Sequence, residues 1–185
     1  MKIRHIVALS ALVATAHVAH AQVSAPIKFS VFAGGVIPTG DGSDQIKVGY
    51  TAGVALDLKV PTTQFGFRAE GLYASFDSKQ QVSGFDAKFT DLGVNANGVL
   101  WFPMSGPSPV SPYITAGPSF SHIKAEAKSG STTISDSENK FGFNVGGGLE
   151  FGLGTLGARV DVRYKRISQT DGSYQSIPIT FALRF

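Results

Sequence analysis

The chain has 185 residues, 16 Lys and Arg against 13 Asp and Glu, and no cysteine. That length accommodates one domain, and the lack of cysteine excludes both a disulfide framework and the lipid-attachment cysteine of a bacterial lipoprotein. No basic cluster exceeds Arg163-Tyr164-Lys165-Arg166, so the composition gives no support to nucleic-acid binding.

Residues 1–21 read as an export signal peptide. Lys2 and Arg4 supply the positive start, Ile6 to Ala16 forms an apolar run too short to span a bilayer as a helix, and Ala19-His20-Ala21 offers small residues before a cleavage site. Cleavage after Ala21 leaves residues 22–185 as the mature domain, with 14 basic side chains, 13 acidic ones and a single histidine, His122. No apolar run in it approaches the roughly 20 residues of a membrane helix. A membrane-embedded form therefore has to be a closed sheet, because lipid cannot satisfy open backbone edges.

Eight extended segments follow, and most have one apolar and one polar face. Ile27 to Ile37 sets Ile27, Phe29, Val31, Ala33 and Gly35 against Lys28, Ser30 and Phe32. Val48 to Val60 places Val48, Tyr50, Ala52, Val54, Leu56, Leu58 and Val60 opposite Gly49, Thr51, Gly53, Ala55, Asp57 and Lys59. Phe65 to Phe76 carries Phe65, Phe67, Ala69, Gly71 and Tyr73 opposite Arg68 and Glu70. Alternation of this kind is the signature of a half-wet strand.

From Leu92 to Phe102, the apolar stripe opposes Gly93, Asn95 and Asn97. Tyr113 to Ile123 is extended, but both of its faces mix apolar and small residues, so its parity stays open. Phe141 to Leu153 sets Phe141, Phe143, Val145, Leu149 and Phe151 against Asn144 and Glu150. Leu156 to Tyr164 faces Val160 and Val162 away from Arg159, Asp161, Arg163 and Lys165. The last segment, Ile177 to Phe185, carries Ile177, Ile179, Phe181, Leu183 and Phe185 on one face and Pro178, Thr180, Ala182 and Arg184 on the other.

The connections alternate in length, as a barrel with long outer loops and short periplasmic turns requires. Pro38 to Lys47, Asp77 to Gly84, Ala125 to Asn139 and Ser168 to Gln175 are read as outer loops, whereas Pro61 to Gln64 and Gly154-Thr155 are turns. Pro103 to Pro112 holds four prolines in ten residues and is read as a stiff periplasmic turn. Aromatic residues gather near strand ends. Phe65, Trp101, Phe102, Tyr113, Phe151 and Phe185 are expected at the periplasmic rim, with Tyr50, Tyr73, Phe141 and Tyr164 at the outer one.

The signal ending Ala19-His20-Ala21, the stretch Gly146-Gly147-Gly148-Leu149-Glu150-Phe151 with Ala158-Arg159-Val160-Asp161-Val162-Arg163-Tyr164, and the terminal Phe181-Ala182-Leu183-Arg184-Phe185 together resemble the small eight-stranded outer-membrane barrels: the OmpA transmembrane domain, OmpX and the opacity-type proteins. The resemblance covers essentially the whole mature chain. It implies an all-β, eight-stranded, antiparallel up-and-down transmembrane β-barrel, monomeric, in the bacterial outer membrane. Ile179, Phe181, Leu183 and Phe185 resemble the C-terminal insertion signal read by the barrel-assembly machinery. Outer-membrane lipid and lipopolysaccharide are the expected surroundings, and the outer loops are expected to meet a surface partner. The family includes anchors, adhesins and enzymes, so architecture does not choose among them.

With apolar stripes facing lipid, Asp57, Lys59, Arg68, Glu70, Asp91, Glu150, Arg159, Asp161, Arg163, Lys165 and Arg184 point into a lumen that eight strands leave just wide enough for side chains. Charges confined there have to pair and hydrogen-bond, so the expected outcome is a salt-bridged plug. Three alternatives stand beside it: a narrow charged pore, a lipid A-modifying enzyme centred on His122, and a soluble lipocalin-like barrel with apolar residues inside.

The lipid A deacylases and palmitoyltransferases that the resemblance brings in use a His with Ser and an acidic partner near the outer rim. Here Lys124 stands where the deacylase has Ser, and the first loop holds no His. The expectation is therefore a structural or surface-interacting protein without catalytic residues. No metal ligand set is expected from Asp41, Asp44, Asp136 or Glu138, which lack His or Cys neighbours, and no cofactor. Gly146-Gly147-Gly148 precedes no helix pattern, so it is not a phosphate loop.

Overall fold

The computed structural model describes residues 27–40, 43, 46–78, 85–102, 104, 109–129, 132–153, 156–169 and 172–185. They form eight strands: β1 (Ile27–Thr39), β2 (Gly49–Lys59), β3 (Phe65–Asp77), β4 (Phe85–Trp101), β5 (Val110–Ser129), β6 (Thr132–Leu153), β7 (Leu156–Gln169) and β8 (Gly172–Arg184). Each pairs with its successor, and β8 returns antiparallel to β1 from Ser30↔Arg184 to Thr39↔Gln175, closing the barrel. Closure leaves no strand edge in the hydrocarbon, which is what lets a sheet exist there at all. The expected signal segment 1–21, Asp41, Asp44 and the turn Gly154-Thr155 lie outside the described residues.

Polarity is inverted relative to a water-soluble barrel. Leu92 is 60% exposed and Phe181 51%, while Arg68 and Asp161 are each 1% exposed. The same division holds along β2, where Val54, Leu56 and Leu58 face out and Thr51, Ala55 and Asp57 face in. A lipocalin-like arrangement is thereby ruled out, since its apolar residues would line the interior. Rings mark the two rims of the outer surface. Tyr50 with Tyr73, Phe120 with Phe141, and Phe143 with Tyr164 pair near one rim, and Phe29 with Phe185 near the other.

Four expectations are corrected. Trp101 and Tyr113, expected in the periplasmic girdle, are 6% and 2% exposed and turn into the lumen, where they pack with Val99. The stretch Ala125 to Asn139, expected as a loop, is mostly strand: β5 and β6 pair continuously from Val110↔Phe151 to Ser129↔Thr132. β4 likewise begins at Phe85 rather than Leu92, pairing Phe85 with Ser129. Pro112 belongs to β5 opposite Leu149, so the proline-rich turn is shorter than the ten residues expected.

The open parity of β5 is settled by burial: Tyr113, Thr115, Ser119 and Ser121 face inward, and Ile114, Ala116, Phe120 and His122 face out. Glycine on a neighbouring strand makes room for each inward ring at the periplasmic end. A Cβ on Gly148 would lie 2.7 Å from the Tyr113 hydroxyl, and one on Gly66 would lie 2.8 Å from the Trp101 indole. Such sites admit only a residue without a side chain.

Candidate functional site

The inward side chains stack in layers along the lumen. At the periplasmic end, Glu150 Oε2 accepts from Trp101 Nε1 at 3.0 Å and from Arg184 Nη1 at 2.6 Å. Lys59 shares this parity but sits at the rim. It is exposed, and its ammonium lies 5.5 Å from the Trp101 ring centre, so the expectation that it joins the lumen charges is corrected. The strand ends there, and a long side chain reaches water more cheaply than it reaches a buried partner.

The middle layer is built on three arginines. Arg68 donates through Nε to Asp57 Oδ1 and through Nη1 to Asp161 Oδ2 at 3.4 Å, with Nη2 3.8 Å from Glu150. Its guanidinium also stacks 4.9 Å from the Tyr113 ring centre, and the Tyr113 hydroxyl donates to Asp161. Arg159 donates to Asp57 Oδ2 at 3.1 Å. Arg163 is doubly bidentate. It meets Asp161 at 2.6 and 2.8 Å and Glu70 at 2.5 and 2.7 Å. Planar guanidinium forks match carboxylates in a way that a lysine ammonium does not, which accounts for arginine at each of these positions.

Amides continue the network. Asn95 and Asn97 donate to Glu70 at 3.0 and 3.2 Å, and Asn144 donates to Asn97 at 2.9 Å and to Ser119 at 3.1 Å. Above them, Lys165 Nζ donates to Asp91 Oδ2 at 2.7 Å and Ser121 Oγ at 3.0 Å. An apolar lid follows: Val36, Ala74 and Phe76, with Ile46, Leu72, Phe89 and Tyr174 packed on them.

Ten of the eleven predicted charges thus contact one another. Asp57, Glu70, Asp91, Glu150 and Asp161 balance Arg68, Arg159, Arg163, Lys165 and Arg184, five against five. The residual space beside Glu70, Asn95, Asn144, Asp161 and Arg163 is about 40 Å³, enough for water and little else.

Sequence reasoning left Trp101, Tyr113, the three asparagines and the two serines out of this set. Their parity was the available signal: Trp101 is even-spaced from Asn95 and Asn97 on β4.

The remaining predicted residues lie on the outer surface. Ile179, Phe181 and Leu183 of β8 and the terminal Phe185 are all exposed on one stripe. His122 faces outward with Nδ1 2.8 Å from Asn139 Oδ1, and Lys124 pairs with Glu126 at 2.7 Å. Among the described residues no group of His, Cys, Asp and Glu has the geometry of a metal site.

Comparison with known proteins matches residues 6–185 to the family model described as outer membrane protein beta-barrel domain. Comparison with curated proteins gives no sequence match. Solved structures with the same fold include Neisserial surface protein A (16% identity, 86% of this chain and 96% of that one, TM-score 0.59). Another is Ail, the attachment invasion locus protein of Yersinia pestis (20% identity, 86% and 97%, TM-score 0.55). The outer membrane enzyme PagL is a third (18% identity, 84% and 97%, TM-score 0.54). A closed, lipid-facing eight-stranded barrel matched over nearly its full length by this family model is a member of the outer membrane protein beta-barrel family and resides in the bacterial outer membrane.

Proposed function

We propose that this protein is a closed, monomeric, non-catalytic barrel with a structural or surface-interacting role, its lumen plugged by the ion-pair network. The observation that carries this reading is Arg68, which lies within ion-pair distance of Asp57, Glu150 and Asp161 from three other strands. A solute would have to break several of these charge-assisted bonds at once. The five acidic and five basic side chains also leave the network without a net charge that would favour ions of one sign.

Interaction falls to the outer end. There the β5–β6 hairpin outruns its neighbour β7, with which β6 pairs only from Gly142 onward. Asp136 and Glu138 place charge on that projecting stretch, which discourages indiscriminate strand addition while leaving a surface for a specific partner. Lipopolysaccharide surrounds the barrel below it. In the same reading residues 1–21 direct export, and Ile179, Phe181, Leu183 and Phe185 are recognised by the assembly machinery.

The lipid A enzyme alternative finds little support in the surroundings of His122. Its ring nitrogen meets an uncharged amide, where a base in hydrolysis is ordinarily oriented by a carboxylate. Reconstitution into liposomes that contain lipid A and an entrapped small sugar tests both halves of the proposal. Neither sugar release nor acyl loss by mass spectrometry is expected. Acyl loss abolished by His122→Ala would establish the enzyme, and sugar release would establish a pore.

A further inference from the structure

Above the Lys165–Asp91 pair, at the outer mouth, the barrel holds a cavity of about 220 Å³. Its walls are the rings of Phe76, Phe89 and Tyr174 with the side chains of Ile46 and Ile123, and Thr90, Asp91 and Ser173 add polar groups. Phe76 and Tyr174 meet edge to face at 5.8 Å and 71°, which fixes the shape of that wall. Asp91 lies on the polar side. Its Oδ2 accepts from Lys165, but Oδ1 is buried with no hydrogen-bond partner, in a side chain only 8% exposed.

Three properties select an occupant. An apolar cavity of about 150 Å³ takes up benzene, so this one accommodates a fused pair of rings. Water finds polar partners only along the Thr90, Asp91, Ser173 and Tyr174 hydroxyl side, and the rest of the walls, rings and aliphatic groups, is better covered by an apolar body. The charge of Asp91 is already met by Lys165, so a cation would gain little here against the cost of leaving water. A neutral donor fits better: one N–H or O–H satisfies Oδ1 while the ring fills the aromatic walls.

We propose that this outer vestibule is a binding site for small, neutral, fused-ring aromatic molecules bearing one hydrogen-bond donor, with Asp91 Oδ1 as the acceptor. The site stands clear of the three-arginine layer. Its occupancy is therefore readable whether or not the lumen conducts.

The test uses the folded protein in lipid nanodiscs with carbon-13-labelled isoleucine methyl groups. Indole is the probe, and 1-benzofuran, of nearly the same shape but without the N–H, is the comparison. Ile46 and Ile123 report the cavity, while Ile114 and Ile179, both exposed on the outer face, report partition into lipid. Indole is expected to shift Ile46 and Ile123 saturably and the other two only in proportion to its concentration. Benzofuran is expected to bind about tenfold more weakly, the loss of one hydrogen bond to a charged acceptor. Ile123→Trp, which fills the cavity, should remove the saturable response and leave the remaining spectrum in place. Shifts that rise linearly at all four isoleucines, or equal affinity for the two probes, would overturn the proposal; the second criterion holds even if the Trp variant does not fold.

Discussion

Glu70 shows how much of the interior hangs on single side chains. It accepts from Arg163 through both oxygens and from Asn95 and Asn97 through one, so removing it leaves several buried donors without that partner. Glu70→Ala is expected to destabilise the barrel by about 3–5 kcal/mol, the usual consequence of leaving a buried partner uncompensated. Lys59→Ala, at the rim, should cost less than about 1 kcal/mol, because it loses only an exposed contact with a ring. Urea unfolding in phospholipid vesicles measures both, and equal losses would contradict the placement of the two residues. Gly148→Ala provides a steric counterpart. The new methyl meets the Val160 carbonyl oxygen and the Tyr113 ring, pressing β6 from β7 and the Tyr113 hydroxyl from Asp161, for about 1–3 kcal/mol, whereas Gly71→Ala meets only Val54 at 3.9 Å and should be tolerated. These inward rings were hard to read from the sequence: parity sets Trp101 on the face of Asn95 and Asn97, but an aromatic at a strand end also suits the lipid rim. Gly148, opposite Tyr113, and Gly66, paired with Val99 two residues from Trp101, were the further clue.

At the level of elements, legibility followed contrast between faces. β2 and β7 were readable in register because every inward position near mid-height is charged, polar or small and every outward one apolar or small, and β3 departs from this at Leu72, which packs inside. β5 was not, since Thr115 and Ser119 on one face and Ala116 and Pro118 on the other differ little in polarity. Its burial, and pairing with Asn95 on β4 and Gly142 on β6, fix which way Ser119 points. The outer parts of β5 and β6 read as loop because Ser, Thr, Asp and Glu dominate there. Above the hydrocarbon a strand pair needs backbone bonds and no apolar stripe, so composition gave no warning. This extension should be dispensable to the barrel. Replacing Ala125–Asp136 with Asn-Gly joins Lys124 to Ser137, a pair already opposite in register, through a favoured two-residue turn. Heat-modifiable gel migration and the unfolding midpoint are expected to survive the replacement. Loss of the folded band would mean that the projecting hairpin supports the barrel rather than decorating it.

For the whole molecule, the arrangement exchanges the usual roles of solvent and core. Lipid takes the aliphatic surface that would otherwise drive collapse, and ion pairs between distant strands provide the interior cohesion. Because these pairs are buried, added salt cannot screen them as it screens surface charges. Raising ionic strength from about 0.1 to 1 M should leave the unfolding free energy nearly unchanged, and a steep fall would place the stabilising charges at the surface. Closure of the lumen is the claim on which the functional reading rests, and planar-bilayer recording of the purified, folded protein tests it most directly. The expected record is a flat baseline for the wild type, with any steps confined to variants such as Arg68→Ala that open the middle layer. Reproducible, ion-selective steps from the wild type, altered in size or selectivity by Arg68→Ala or Glu70→Ala, would contradict it.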